Sequence, residues 1–253
     1  MIELAIDGAV AEITLNAPEK LNALSLAALG ELDASYEAAA NAGVRALVLR
    51  GEGRAFCAGR DIAGVDPETD DVPGYLAAVE AAMRRIAEFP APTFAAVQGA
   101  CLGVGLGLAI ATDVVYVAET AKVGSPFANL GALLDSGGHA LLYERLGAHR
   151  ALDLIYTGDL LTGAEAVAAG LFSRALPADD VLTFTRERAV AAASGPTAAF
   201  LASKRLIARL RDERLWDAVA QESRDQEALR STADYREGFA AFQQKRPPRF
   251  RGE

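Results

Sequence analysis

The chain has 253 residues, a formal net charge of −9 and an apolar fraction of 51%. That length allows one large domain or a domain with an appendage, with enough surface to bury a sizeable core. The acidic balance argues against a general binder of nucleic acid, which needs clustered Lys and Arg, and no apolar run reaches the ~18 residues of a membrane span.

The start, MIELAIDGAVAEITL, alternates apolar and polar residues and carries acids where a secretory leader carries a basic segment. It predicts strands over 2–7 and 9–15, joined by Asp7-Gly8 as a hairpin turn. The run NAPEKLNALS then breaks the strand. Ser25 is a candidate N-cap for a helix bearing Leu26, Leu29, Leu32 and Tyr36, which stops at Asn41-Ala42-Gly43. Ala46 to Leu49 reads as a short buried strand running into the turn-rich GEGRAFCAGRDI. The acidic, Gly- and Pro-rich segment 64–74 predicts a mobile surface loop, its carboxylates at 66–71 a solvated lid, ahead of a helix beginning near Tyr75. That helix ends before Pro90 and Pro92.

Thr93 to Val97 predicts another strand, Gly99 to Gly107 a glycine-rich turn entering a helix, and Val114 to Val117 a further strand. Short strands alternating with helices argue for an α/β layer structure. Gly195-Pro196 interrupts this pattern and helix-forming, charged sequence follows, so the expected organisation is a core over 1–195 and a helical domain over 196–253. Leu201, Leu206, Ile207, Leu210, Leu215 and Trp216 form apolar stripes that read as intramolecular core.

Cys57 and Cys101 have neither metal-ligand spacing nor a disulfide framework, as expected of a reduced, cytoplasmic setting. His139 and His149 lack the neighbours of a catalytic triad or a zinc site, so no metal is expected. Two segments could aim backbone N–H groups at an anion. In RAFCAGRD the small Ala58 and Gly59 leave the main chain accessible, and in GACLGVGLGLAIA the chain turns into a helix whose first N–H groups are unpaired. Taken alone, the glycines read as helix-packing residues or a stray dinucleotide fingerprint, and GVGLGL has the spacing G-x-G-x-G where that fingerprint wants G-x-G-x-x-G.

The runs NAPEKLNALS, AFCAGRDI, VQGACLGVGLGLAIATDVVYVAE, LGALLDSGGHALLYERLG, YTGDLLTGAEAVAAGLFSR and FQQKRPPRF together resemble, in order and spacing, the signature segments of the crotonase (enoyl-CoA hydratase/isomerase) superfamily. The resemblance implies an α/β spiral of ββα units, as in ClpP and crotonase, followed by a helical C-terminal domain. It also implies a homotrimer or a dimer of trimers, and no cofactor, since the coenzyme A thioester is itself the substrate. By position, it makes the backbone N–H groups of Ala58 and Val104 the donors to the thioester oxygen. Val104 stands where many members carry Gly. Lys20, Leu21, Ala23, Ala58, Arg60, Asp61 and Ile62 are then expected around coenzyme A, with Phe242 and Lys245 supplied by the same subunit or a neighbour. For Arg60 a solvated surface charge remains an equal alternative.

The departures from the family pattern say more. Members that hydrate a double bond use two glutamates, which align here with Gly107 and Phe127, so ordinary hydration lacks both proton carriers. Asp135, in LGALLDSGG, stands where dienoyl-CoA isomerases and the ring-epoxide isomerases of phenylacetate breakdown carry a catalytic aspartate. The resemblance implies an isomerase with Asp135 as its one base and Phe127 and Leu130 lining the substrate pocket. An alternative role for Asp135 or Ser136 is to cap the helix from Gly137 to Leu146. A degenerate hydratase and a non-catalytic acyl-CoA-binding subunit stand as competing functions.

Overall fold

The computed structural model describes residues 1–253, apart from the Glu213 side chain. Strands β1 (Ile2–Asp7), β2 (Val10–Leu15), β3 (Ala46–Gly51), β4 (Thr93–Val97), β6 (Val114–Ala118) and β9 (Arg174–Leu176) form one sheet in the order β1-β2-β3-β4-β6-β9. Only the β1–β2 hairpin is antiparallel; every other neighbour in this sheet runs parallel. A smaller sheet holds β5 (Ala100–Leu102), β7 (Lys122–Gly124) and β8 (Leu161–Thr162).

The helices are α1 (Leu26–Asn41), α2 (Val72–Ala87), α3 (Val104–Ala111), α4 (Gly138–Leu146), α5 (Ala148–Thr157), α6 (Gly163–Ala168), α7 (Val181–Ala193), α8 (Thr197–Leu229) and α9 (Ala233–Gln243). A strand of the large sheet, a strand of the small one and a helix recur in turn, as β4-β5-α3 and β6-β7-α4. A third turn of the same spiral uses β3, the isolated bridge at Cys57 and then α2. Strands β3 and β4 are buried on both faces, which explains their continuous apolar runs.

Several local expectations gain precision. Ser25 caps α1 by accepting from the Ala28 N–H, as its residue type predicts. Helix α2 starts at Val72, earlier than the expected start near Tyr75, because Asp71 accepts from the Gly74 N–H and Pro73 occupies the first turn. The expected stripe on α8 divides. Leu215 and Val219 pack into the main core with Trp216 against it, whereas Leu206, Ile207 and Leu210 stand exposed, Leu210 at 76%. Helix α9 lies across the turn at Phe127–Leu130, where Gly238 admits the Leu130 backbone so closely that any Cβ would overlap it. Among the described residues no helix is long and apolar enough to cross a membrane.

Candidate active site

The spiral opens onto a cavity of about 550 Å³ at one end of α3. Its walls come from the segment after β3 (Ala58, Gly59, Arg60, Ile62), from α2 (Val72, Tyr75, Leu76), and from the turn after β5 (Leu102, Gly103). Phe127, Leu130 and Asp135 contribute from the segment ahead of α4, while Tyr235, Phe239 and Phe242 close it from α9. The lining is mainly apolar with a few convergent polar groups, the usual make-up of a small-molecule site.

Two loops meet at the cavity floor. Cys57 donates its N–H to the Ala100 carbonyl at 2.9 Å and accepts from Leu102 at 2.9 Å, so the Cys57 and Cys101 strands are locked in register. The thiols stay free and buried, and burial pushes the Cys57 thiol up to about 12. Beyond this lock, a Cβ placed on Gly59 would lie 3.1 Å from the Leu102 oxygen and 4.0 Å from the Gly103 Cα. Only glycine lets the backbones approach this closely.

This geometry corrects the assignment of Ala58. Its N–H donates to the Leu21 carbonyl at 2.9 Å and is not available to a ligand. Leu24 donates to Gly59 at 2.8 Å and accepts from Asp61 at 3.0 Å, which turns residue 60 away from this pairing. The N–H of Arg60 therefore meets no acceptor among the described residues, and neither does that of Val104, the first residue of α3. These two unpaired amides lie on adjoining loops: Arg60 lines the cavity, and Val104 directly follows Gly103, which also lines it. The Val104 side chain is buried in the core, outside the cavity lining.

Asp135 opens onto the cavity and is enclosed by protein on its other sides. Burial dominates its electrostatics and pushes the carboxyl up to about 7; Ser136, donating from its hydroxyl at 2.8 Å, opposes the rise, Glu222 adds to it and Arg60 opposes it. The capping alternative for Asp135 and Ser136 does not hold, since neither side chain caps α4. Instead Glu222 of α8 accepts from the Gly137 N–H at 2.8 Å and the His139 N–H at 3.0 Å, and it holds the His139 ring nitrogen Nδ1 at 2.8 Å. Ser136, at φ 59, fills the space beside Gly107, where any Cβ would overlap its own. A glutamate at 107 has no room, and Phe127 stands against Gly103 at the other family position.

The remaining expected residues divide. Ala58, Arg60, Ile62, Phe127, Leu130, Asp135 and Phe242 line the cavity; Lys20, Leu21, Ala23, Asp61 and Lys245 do not. Lys20 and Asp61 pair with each other at 2.8 Å at its outer edge. The Arg60 guanidinium is not a solvated charge: it stacks 4.1 Å from the Tyr75 ring centroid and pairs with Asp70. Asp70 consequently leaves the set of solvated lid carboxylates, its side chain only 9% exposed. Asp113 is remote from the cavity, tying Thr93 of β4 to Lys204 of α8.

Sequence reasoning missed Tyr75, Asp70, Glu222, Gln226 and Tyr235. Glu222 and Gln226 carried a faint signal. With Leu215 and Val219 they share one helical face, a polar pair continuing an apolar stripe, and both are buried. Gln226 accepts from the Leu133 N–H at 2.8 Å and so fixes the chain ahead of Asp135.

The chain is similar to known proteins in sequence and fold. A relative from Rhodobacter capsulatus, described as a probable enoyl-CoA hydratase, is 38% identical over 256 residues, covering 99% of this chain and 98% of its own. A probable enoyl-CoA hydratase from Rhizobium meliloti is 38% identical over 245 residues, covering 96% and 95%. The crystal structure of an enoyl-CoA hydratase from Mycobacterium avium subsp. paratuberculosis superposes with a TM-score of 0.90 at 31% identity, covering 99% of this chain and 98% of that one. A methylmalonyl-CoA decarboxylase structure superposes at 0.84 with 26% identity, covering 100% and 98%. Residues 5–253 match the family pattern described as enoyl-CoA hydratase/isomerase. By fold, cavity and sequence, the chain belongs to the enoyl-CoA hydratase/isomerase family.

Proposed function

We propose that the chain is an acyl-CoA isomerase that shifts a double bond along the acyl group, or isomerises a ring epoxide, with Asp135 as its single base. The observation that carries this reading is that Asp135 is the only carboxyl among the residues lining the cavity. The thioester oxygen accepts hydrogen bonds from the Arg60 and Val104 N–H groups, so negative charge that develops when a neighbouring carbon loses its proton is met by fixed dipoles. Each such donor is worth ~2.7 to 4 kcal/mol in the transition state. Asp135, ionised, takes the proton from one carbon and returns it to another, ending as it began. A carboxyl held at about 7 suits both steps, because neither proton transfer is far uphill at neutral pH. Phe127, Leu130 and Phe242 keep water from the enolate.

The hydratase names of the relatives favour a second reading, water addition. That reaction requires a placed water and a second proton carrier, and Gly107 and Phe127 supply neither. A panel of coenzyme A esters, with 3-enoyl and phenylacetate-type ring-epoxide substrates beside crotonyl-CoA, discriminates on the parent and on Asp135→Asn. Isomerisation lost in the variant is expected. Crotonyl-CoA hydration at a normal rate that survives Asp135→Ala overturns the proposal, and so does tight acyl-CoA binding with no turnover in the parent.

The same reading makes the assembly a homotrimer or a pair of stacked trimers. The exposed Leu206, Ile207 and Leu210 on α8 supply an apolar face for such contacts.

A further inference from the structure

Arg60 pairs with one acid and shares its cavity with another. Its guanidinium lies over Tyr75 and pairs with Asp70, and it lines the same cavity as Asp135. Asp70 belongs to the segment 64–71, which the chain tethers from outside. Arg230 donates to the Pro67 carbonyl at 3.3 Å, Gln243 to the Val65 carbonyl at 2.7 Å, and Arg236 approaches Glu68 at 3.8 Å. The Gln243 and Arg236 tethers are solvent-exposed and the Arg230 tether is part-buried, whereas the Asp70 side chain is only 9% exposed. One Asp70 oxygen meets Arg60 and the other, Oδ2, is buried without a donor among the described residues. An ionised carboxylate is kept in such a half-satisfied place only by its counter-ion.

The other groups around Asp135 are fixed by the framework. Ser136 is its sequence neighbour, Glu222 on α8 is held by the α4 N-terminus and His139, and Tyr75 on α2 donates to the Leu24 carbonyl at 3.1 Å. Two cations, Arg60 and Arg246, line the cavity with Asp135; Arg246 is held by Glu237 at 2.6 Å, whereas the partner of Arg60 sits on the tethered segment.

We propose that Asp70 is a positioning residue for Asp135, acting through Arg60: with the segment seated, Asp70 supplies the counter-charge to a guanidinium that otherwise confronts the base alone. Unseating the segment exposes Asp135 to the full positive charge, favours its ionised form and weakens it as a proton acceptor. Seating restores a base strong enough for the reaction. The state of the base is thereby tied to closure over a bound acyl group. The inference rests on the proposed role of Asp135 only for its catalytic meaning, because the Arg60–Asp70 pair and the cavity shared with Asp135 are present without a bound acyl group.

The test is a carboxyl carbon-13 titration of the ligand-free full chain labelled at aspartate, with the Asp135 signal assigned by its loss in Asp135→Asn. Asp70→Asn is expected to lower the Asp135 midpoint by about one pH unit, and Arg60→Met to raise it. Asp70→Asn added to Arg60→Met should move it no further. A midpoint unchanged in Asp70→Asn and in the second variant Asp70→Ser, both folded by circular dichroism, overturns the proposal. So does an equal shift with and without Arg60. The reading of Asp135 as base fails separately, if Asp135→Asn keeps full isomerase turnover.

Discussion

At the scale of single residues, the enclosure of Asp135 makes two measurable statements. Its carboxyl must be ionised to accept a proton, so kcat/KM should fall tenfold per pH unit below about 7 and level off above it, which a pH–rate profile checks. Asp135→Asn should lower turnover by at least about 100-fold. The same group affects stability. Its folded pKa stands above the ordinary 3.8, so its contribution is fully present below that value and is lost as pH rises through about 7. The loss corresponds to ~4 kcal/mol. Asp135→Asn should therefore match the parent in denaturant midpoint near pH 4 and exceed it near pH 8. Gly107→Glu should restore no hydration and should lower the thermal midpoint, since Ser136 already fills the site of the new side chain.

Residues are also where the sequence was most and least legible. Asp135 lines the cavity, as the family resemblance implied from the position of its motif. The donor assigned to Ala58 was two positions early. Gly59 adopts φ 103, and that turn shifts the direction of the following N–H groups, a phase that no composition or spacing reveals. Asp70 looked like one more acid in a hydrophilic loop. Its partner, Arg60, is ten positions away in the chain, and the pairing depends on how α2 folds the loop back.

Among the elements, α8 does more than pack. Glu222 reaches the start of α4, where Gly137 and Gly138 offer no side chain to meet the unpaired amides. Glu222→Ala should cost ~3 kcal/mol, because it strands buried donors and removes a charged acceptor. Glu222→Gln, which keeps one acceptor, should cost about half as much. Chemical denaturation at constant pH measures both. Strands β1 to β4 and β6 and helices α1 to α4 were readable from periodicity and caps, whereas β5, β7, β8 and β9, of two or three residues each, and helices α5 to α7 were not. The contact of α8 with α4 was not, because 83 or more positions separate the partners and only the tertiary fold brings them together.

For the molecule as a whole, Leu206, Ile207 and Leu210 form an apolar stretch on one helix that the chain leaves exposed. On the proposed trimeric assembly, Leu210→Asp should reduce the mass in solution to that of one chain at micromolar concentration, which light scattering detects. It should spare the secondary structure, since Leu210 is 76% exposed and contributes little to the core. The sequence stripe was read as core because hydrophobic periodicity does not say which apolar residues of a long helix the rest of the chain reaches.

The wall formed by α9 and the prolines after it has a consequence for synthesis. Gln226, Tyr235, Phe239, Phe242, Pro247 and Pro248 all border the reaction chamber, yet both sheets are complete by residue 176. A nascent chain can thus form its framework while the chamber stands open on one side, and only the closing stretch of translation seals it. Ribosome stalling or proteolytic clipping after α7 would yield a species that retains the sheets and presents an unsealed apolar hollow to chaperones and to other chains.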